Sequence, residues 1–221
     1  VPAEIADNDF IEKYLDGRFR DYKGFIKEWL AVYCYTNYMK LPSLIFSGPR
    51  GSGKSSFAEI IAEIFPSLSY KWAGTETAFS YEVEKKFLIV EENQGDKLSQ
   101  YKTLKNYSGS QNVEVKKKFK DPYLVKNNMN ICLLSNEAIP LFVRSEEMPS
   151  DSKNNQFFVY EFPQLNAQID PQIQNKVIHR LGHYIRTELK TVYDGLNMDG
   201  FRYSIDVPIT EYEKALFENN T

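Results

Sequence analysis

The stretch Gly48-Pro49-Arg50-Gly51-Ser52-Gly53-Lys54-Ser55 satisfies the pattern G-x-x-x-x-G-K-S at every position. The apolar run Leu44-Ile45-Phe46 precedes it and reads as a strand. Ser56 to Phe65 follows, with Phe57, Ile60, Ile61 and Ile64 at helical spacing. Strand, glycine loop and helix in that order separate a phosphate-binding loop from a chance match. The glycines let the backbone wrap so that its N–H groups face phosphate oxygens, and the start of the helix adds partial positive charge. Gly48, Pro49, Arg50, Gly51, Ser52, Gly53, Lys54, Ser55 and Ser56 are therefore expected to hold a nucleoside triphosphate. Lys54 is expected to reach the β- and γ-phosphates, and Ser55 to ligate magnesium. The competing reading is a flexible, exposed turn, and the two flanks weigh against it.

Working outward, 221 residues suit one core domain with an appendage. Apolar residues make up 42% and charged residues 26%, the balance of a soluble globular protein. No apolar run is long enough to span a membrane, and the polar, acidic start does not resemble a signal peptide. The first residue is Val1, so a fragment or processed chain with partner domains elsewhere is expected. Cys34, in a helical run, and Cys132, in an apolar run, read as buried thiols, which favours a reducing, cytoplasmic setting. The net charge of −3 excludes a uniformly basic surface, so any nucleic-acid contact must come from a local patch.

Asp7 to Met39 carries aromatic and apolar residues at spacings of three and four. These predict two helices, broken near Asp16-Gly17 or Gly24. Ser69–Trp72, Phe87–Val90, Met129–Leu134 and Phe157–Phe162 read as strands, and Lys97–Tyr107 as a helix. Asn112–Lys120 alternates before the turn at Asp121-Pro122, which predicts a β-hairpin with a lysine-bearing tip. Pro171–Tyr193 reads as an amphipathic helix, and the rest as a polar tail with a short helix after Pro208. The division expected is a helical segment at 1–40, a core at 41–163 and a helical tail at 164–221.

Glu91 and Glu92 close the strand after the glycine-loop unit. Ligands of open α/β sheets bind beyond the carboxyl ends of strands, so one acid can hold the metal and the other take a proton from the attacking water. Glu91 is assigned to the metal and Glu92 to the water. A solvated strand end is the plainer alternative. Asn136 ends a further strand and can hold that water without adding repulsive charge, although Asn also ends strands for turn reasons alone. His179 and His183 lie four apart on a helix but have no third ligand, and read as surface or interface residues.

The glycine loop, the paired acids and the Ser135-Asn136 strand end fall within about ninety residues. That order resembles the superfamily 3 helicases of viruses, phages and plasmids, a branch of the AAA+ ATPases. The stretch from Tyr107 to Pro122 is similar to the segment those proteins place between Walker B and sensor 1. The resemblance, from about Phe25 to Phe162, implies a three-layer P-loop fold with a mainly parallel sheet, ATP and Mg2+ as ligands, and hydrolysis that drives unwinding in replication. Lys54 and Ser55 would be Walker A, Glu91 and Glu92 Walker B, and Asn136 sensor 1. Lys118 and Lys120, with Lys116 and Lys117 behind them, would form the basic tip that grips single-stranded DNA. The resemblance also implies a homo-oligomeric ring, a hexamer, with a primase or polymerase domain on the same chain. The usual arginine before the strand after sensor 1 is missing, since Lys153-Asn154-Asn155-Gln156 stands there, which leaves Arg144 or Lys153 as the cation acting on a neighbouring subunit's site. Two rival readings stay open: a loader ATPase that remodels without translocating, and a small-molecule kinase. A solvated, lysine-blunted edge is the bland reading of the hairpin.

Overall fold

The structure, a computed structural model, describes residues 4–37, 40–72, 84–91, 104–115, 120–137, 149–165, 170–198 and 205–218. Two helices open the chain, α1 (Asn8–Phe19) and α2 (Lys23–Tyr35). The Asp7 carboxylate accepts the Phe10 N–H and caps α1. The break falls neither at Asp16-Gly17 nor at Gly24 but at Arg20, which has φ +48° and starts a 3-10 turn, Arg20–Tyr22. Both glycines sit where an added side chain would meet open space, so nothing forces the chain to turn there. The turn follows Phe19 instead. Its fully buried ring packs 4.7 Å from Phe57 and 5.3 Å from Phe162, centroid to centroid, which pins the end of α1.

A parallel five-stranded sheet carries the fold, in the order β2-β3-β6-β1-β7. The strands are β1 (Ser43–Ser47), β2 (Ser69–Trp72), β3 (Phe87–Glu91), β6 (Asn130–Leu134) and β7 (Phe157–Glu161). Because all run the same way, their carboxyl ends share one edge. Between β1 and β2 lies α3 (Lys54–Ile64). Residues 104–109 are helical and are labelled α4. Alternate residues serve opposite faces, as the pleat requires. Leu44, Phe46, Phe87, Ile89, Cys132 and Phe158 join the core beneath α1, α2 and α3. Ile45, Leu88, Val90, Ile131, Leu133 and Val159 join a second core with Leu104, Tyr212 and Leu216. Burial on both faces explains why the strands read as continuous apolar runs.

The expected hairpin is present as β4 (Asn112–Val115) antiparallel to β5 (Tyr123–Lys126), with Val115 opposite Tyr123. The long C-terminal helix comprises α5 (Ile173–Tyr184), a π turn (Ile185–Leu189) and α6 (Lys190–Asp194). The Tyr35 hydroxyl donates to the Ile185 carbonyl at 2.8 Å, at the start of the π turn. The segment after Asp194 is less polar in its packing than its composition suggests. Ile205, Val207 and Phe217 are buried, Phe217 on α7 (Glu211–Glu218). Cys132 is buried and Cys34 half-buried, and both are free thiols. Among the described residues no helix is long and apolar enough to cross a membrane.

Candidate functional site

The loop between β1 and α3 holds three glycines in conformations that L side chains rarely adopt. Gly48 has φ +135°, Gly51 +83° and Gly53 +92°. A β-carbon at Gly48 would also come within 2.8 Å of the Phe162 carbonyl oxygen. The loop borders a cavity of about 400 Å3, lined by Arg18, Arg50, Gly51, Gly53, Lys54, Ser55, Ser56, Asn136 and Ile173. Among the described residues the lining therefore contains three cations and no acid.

Lys54 is buried at the start of α3. Its ammonium donates to the Gly48 carbonyl at 2.9 Å, the Pro49 carbonyl at 3.2 Å and the Asn136 side-chain oxygen at 2.7 Å. Asn136 reaches this point because β6 lies beside β1, with Phe46 opposite Leu134. The Ser135 N–H donates to the Phe46 carbonyl, and the Ser47 hydroxyl donates to the Glu137 carbonyl at 2.7 Å. These bonds fasten the strand ends together and fix the residue between them. Two of the expected site residues, 82 positions apart, thus meet directly.

Glu91 lies at the same edge, at the end of β3, one strand beyond Asn136. It does not line the cavity. Its carboxylate pairs with Lys71 of β2 at 2.8 Å, and that hydrogen bond holds the Lys71 ammonium above its ordinary range. Ser55 faces the cavity and is exposed. Lys120, just ahead of β5, is exposed, and so is Lys153. Glu92, Lys116, Lys117, Lys118 and Arg144 lie outside the described residues. Among the described residues no group of three His, Cys, Asp or Glu side chains gathers to hold a metal. His179 and His183 are half-buried on α5.

Arg18 was not expected at the cavity. It sits in the last turn of α1 and is only 8% exposed. A β-carbon on Gly53 would come 3.2 Å from its guanidinium carbon. The sequence held one signal for it. Ile11, Tyr14 and Leu15 mark the buried stripe of α1, and position 18 continues that stripe with a charge. Burial pushes the Tyr14 phenol above its usual range, and the neighbouring guanidinium opposes that shift.

A family described as "Family of unknown function (DUF5906)" matches residues 46–153, just under half of the chain. No curated protein matches the sequence. Among solved structures, the A form apo structure of the NrS-1 C-terminal region is similar, with a TM-score of 0.73 at 18% identity, over 99% of this chain and 53% of that one. The apo structure of NrS-1 C-terminal region 305–718 gives 0.73 at 19% identity, with the same coverage. The chain thus spans about half the length of these neighbours. At such identity the likeness is one of fold: an α/β architecture on a mainly parallel sheet.

Proposed function

We propose that this chain is the ATP-hydrolysing core of a DNA helicase of the superfamily 3 type, a three-layer P-loop domain acting in replication. The observation that carries the reading is the Lys54 ammonium. It is poised at the mouth of a loop of positive-φ glycines and bonded to Asn136 from the neighbouring strand. A nucleoside triphosphate would lay its phosphates in the cavity. Lys54 would then exchange the Gly48 and Pro49 carbonyls for phosphate oxygens while Asn136 orients the attacking water. The three cations of the lining, Arg18, Arg50 and Lys54, suit a polyanion.

Magnesium fits this donor set. Ser55 offers a hydroxyl at the cavity and Glu91 a carboxylate at the end of β3, donors that suit a metal carried largely by phosphates and water. When bound, it neutralises charge on the phosphate oxygens. In this reading Glu92 accepts the proton of the attacking water. The hairpin of β4 and β5 presents Lys116, Lys117, Lys118 and Lys120 to single-stranded DNA in the channel of a homo-oligomeric ring, and Arg144 or Lys153 completes a neighbour's site. A primase or polymerase domain belongs on the same polypeptide. The hairpin itself, present ahead of β6, favours this over a kinase, which has no use for it.

The test is ATP turnover with magnesium, with and without single-stranded DNA, across a range of protein concentrations, beside Lys54→Ala and Lys120→Ala. Expected are stimulation by DNA, specific activity that rises with concentration, no turnover in Lys54→Ala, and weaker stimulation in Lys120→Ala. Turnover that ignores both DNA and concentration contradicts the helicase reading.

A further inference from the structure

We propose that Arg18, carried by the N-terminal helix α1, is a polyphosphate-binding residue whose guanidinium grips the nucleotide together with Lys54. The inference rests on the reading of the cavity as a nucleotide site and adds a residue outside the glycine loop to it.

Arg18 is more than nine-tenths buried, and its Nε has no hydrogen-bond partner among the described residues. Arginine keeps its charge in proteins, so the cation cannot escape burial by losing a proton. A buried charge without a carboxylate or hydrogen-bonded partner is unfavourable, and natural folds retain one where a ligand completes it. No ion pair reaches Arg18 from the described residues. Its guanidinium lies over the Tyr14 ring, 5.3 Å from the ring centroid. The stack orients the guanidinium plane and leaves the Nε–H without an acceptor among the described residues.

The placement is built in. The Arg18 carbonyl accepts the Tyr160 hydroxyl at 2.7 Å, in the buried core, and the next residue is the fully buried Phe19. The backbone is thus held at two adjoining points, and the side chain lies across Gly53, against the first residues of α3. The Lys54 ammonium is held at Gly48 and Asn136. The two cations border one cavity. A planar fork of N–H donors matches two phosphate oxygens in a fixed, parallel geometry that a point-like ammonium does not supply.

The test is calorimetric binding of Mg-ADP and of inorganic tripolyphosphate to wild type, Arg18→Met, Arg18→Lys and Lys54→Ala, beside the melting temperatures of the ligand-free proteins. Arg18→Met should weaken both ligands at least about tenfold and Arg18→Lys by less, the loss of charge-assisted hydrogen bonds. The ligand-free melting temperature of Arg18→Met should equal or exceed that of wild type, because an unpaired buried charge is removed. A structural arginine would behave in the opposite way. Binding by Arg18→Met within about twofold of wild type overturns the inference and leaves the nucleotide site standing. Wild type that binds neither ligand, or Lys54→Ala that binds like wild type, overturns the site and the inference with it. Should Arg18→Met not fold, the Nε–H resonance of Arg18 in wild type decides: a shift on adding Mg-ADP supports the contact, and an unmoved resonance at saturation overturns it.

Discussion

The Lys54 ammonium and the Asn136 side-chain oxygen lie 2.7 Å apart. A neutral amide holds the lysine while leaving its charge available to phosphate. Asn136→Asp puts a carboxylate in the same place, and the resulting ion pair competes with the ligand. We expect Asn136→Asp to weaken ATP binding by about tenfold or more, and Asn136→Ala to leave it within about threefold, since a charged acceptor holds an ammonium more strongly than an amide does. Titration of both variants with a non-hydrolysable ATP analogue checks this. Equal affinities would show that the contact is incidental.

Gly53 is constrained twice, by φ +92° and by the Arg18 guanidinium within 3.2 Å of where a β-carbon would stand. Gly53→Ala should therefore cost about 1–2 kcal/mol of stability through the left-handed backbone alone. It should also displace Arg18. Chemical denaturation measures the first effect. Ala at Gly51 has the same backbone penalty at φ +83° but open space around it, so it serves as the comparison.

Much of the site was legible locally, and the rest was not, for a physical reason. The glycine loop, its flanking strand and helix, and the hairpin are written in short-range patterns of turn residues and apolar periodicity. Asn136 could be placed because it follows an apolar run that had to be a strand. The order β2-β3-β6-β1-β7 could not, because pairing between strands many residues apart leaves no local mark. Arg18 illustrates the same limit: it meets Gly53 only because Phe19 anchors α1 in the aromatic core. The break at Arg20 was misplaced because glycine marks a possible turn, whereas here core packing decided.

The Glu12 carboxylate ties α1 to two other helices. It accepts from Lys27 at 2.8 Å, Lys23 at 3.1 Å and the Tyr184 hydroxyl at 2.6 Å. Burial alone would raise its pKa, but these bonds overcome that and hold it at about 2, against 4.5 for a free Glu. A depressed folded-state pKa contributes stability above pH 4.5 that is lost as pH falls toward 2. With the side chain 25% exposed, solvent screening reduces the effect. Glu12→Gln should destabilise by about 1–2 kcal/mol at pH 7, with the difference from wild type closing between pH 4.5 and 2 in denaturation series.

Glu213 on α7 has the opposite sign. It is buried, and burial pushes its carboxyl up to about 7 despite hydrogen bonds from Asn155 and the Thr210 backbone. A raised folded-state pKa means that the unfolded chain gives up its proton first. Stability then falls as pH rises from 4.5 to about 7, and is level above that. Glu213→Gln keeps an oxygen for Asn155 and removes the titration. Relative to wild type it should gain stability through this window, by on the order of 2–3 kcal/mol at the plateau. Melting temperatures at pH 4.5 and 8 measure the gain, and a difference independent of pH would contradict the assignment.

The most direct test of the account is equilibrium binding of Mg-ATP to the wild-type chain and to Lys54→Ala. The account predicts saturable one-to-one binding by wild type and a large loss of affinity in Lys54→Ala, with the fold unchanged by circular dichroism. Absence of binding by well-folded wild-type protein, or undiminished binding by Lys54→Ala, would contradict it.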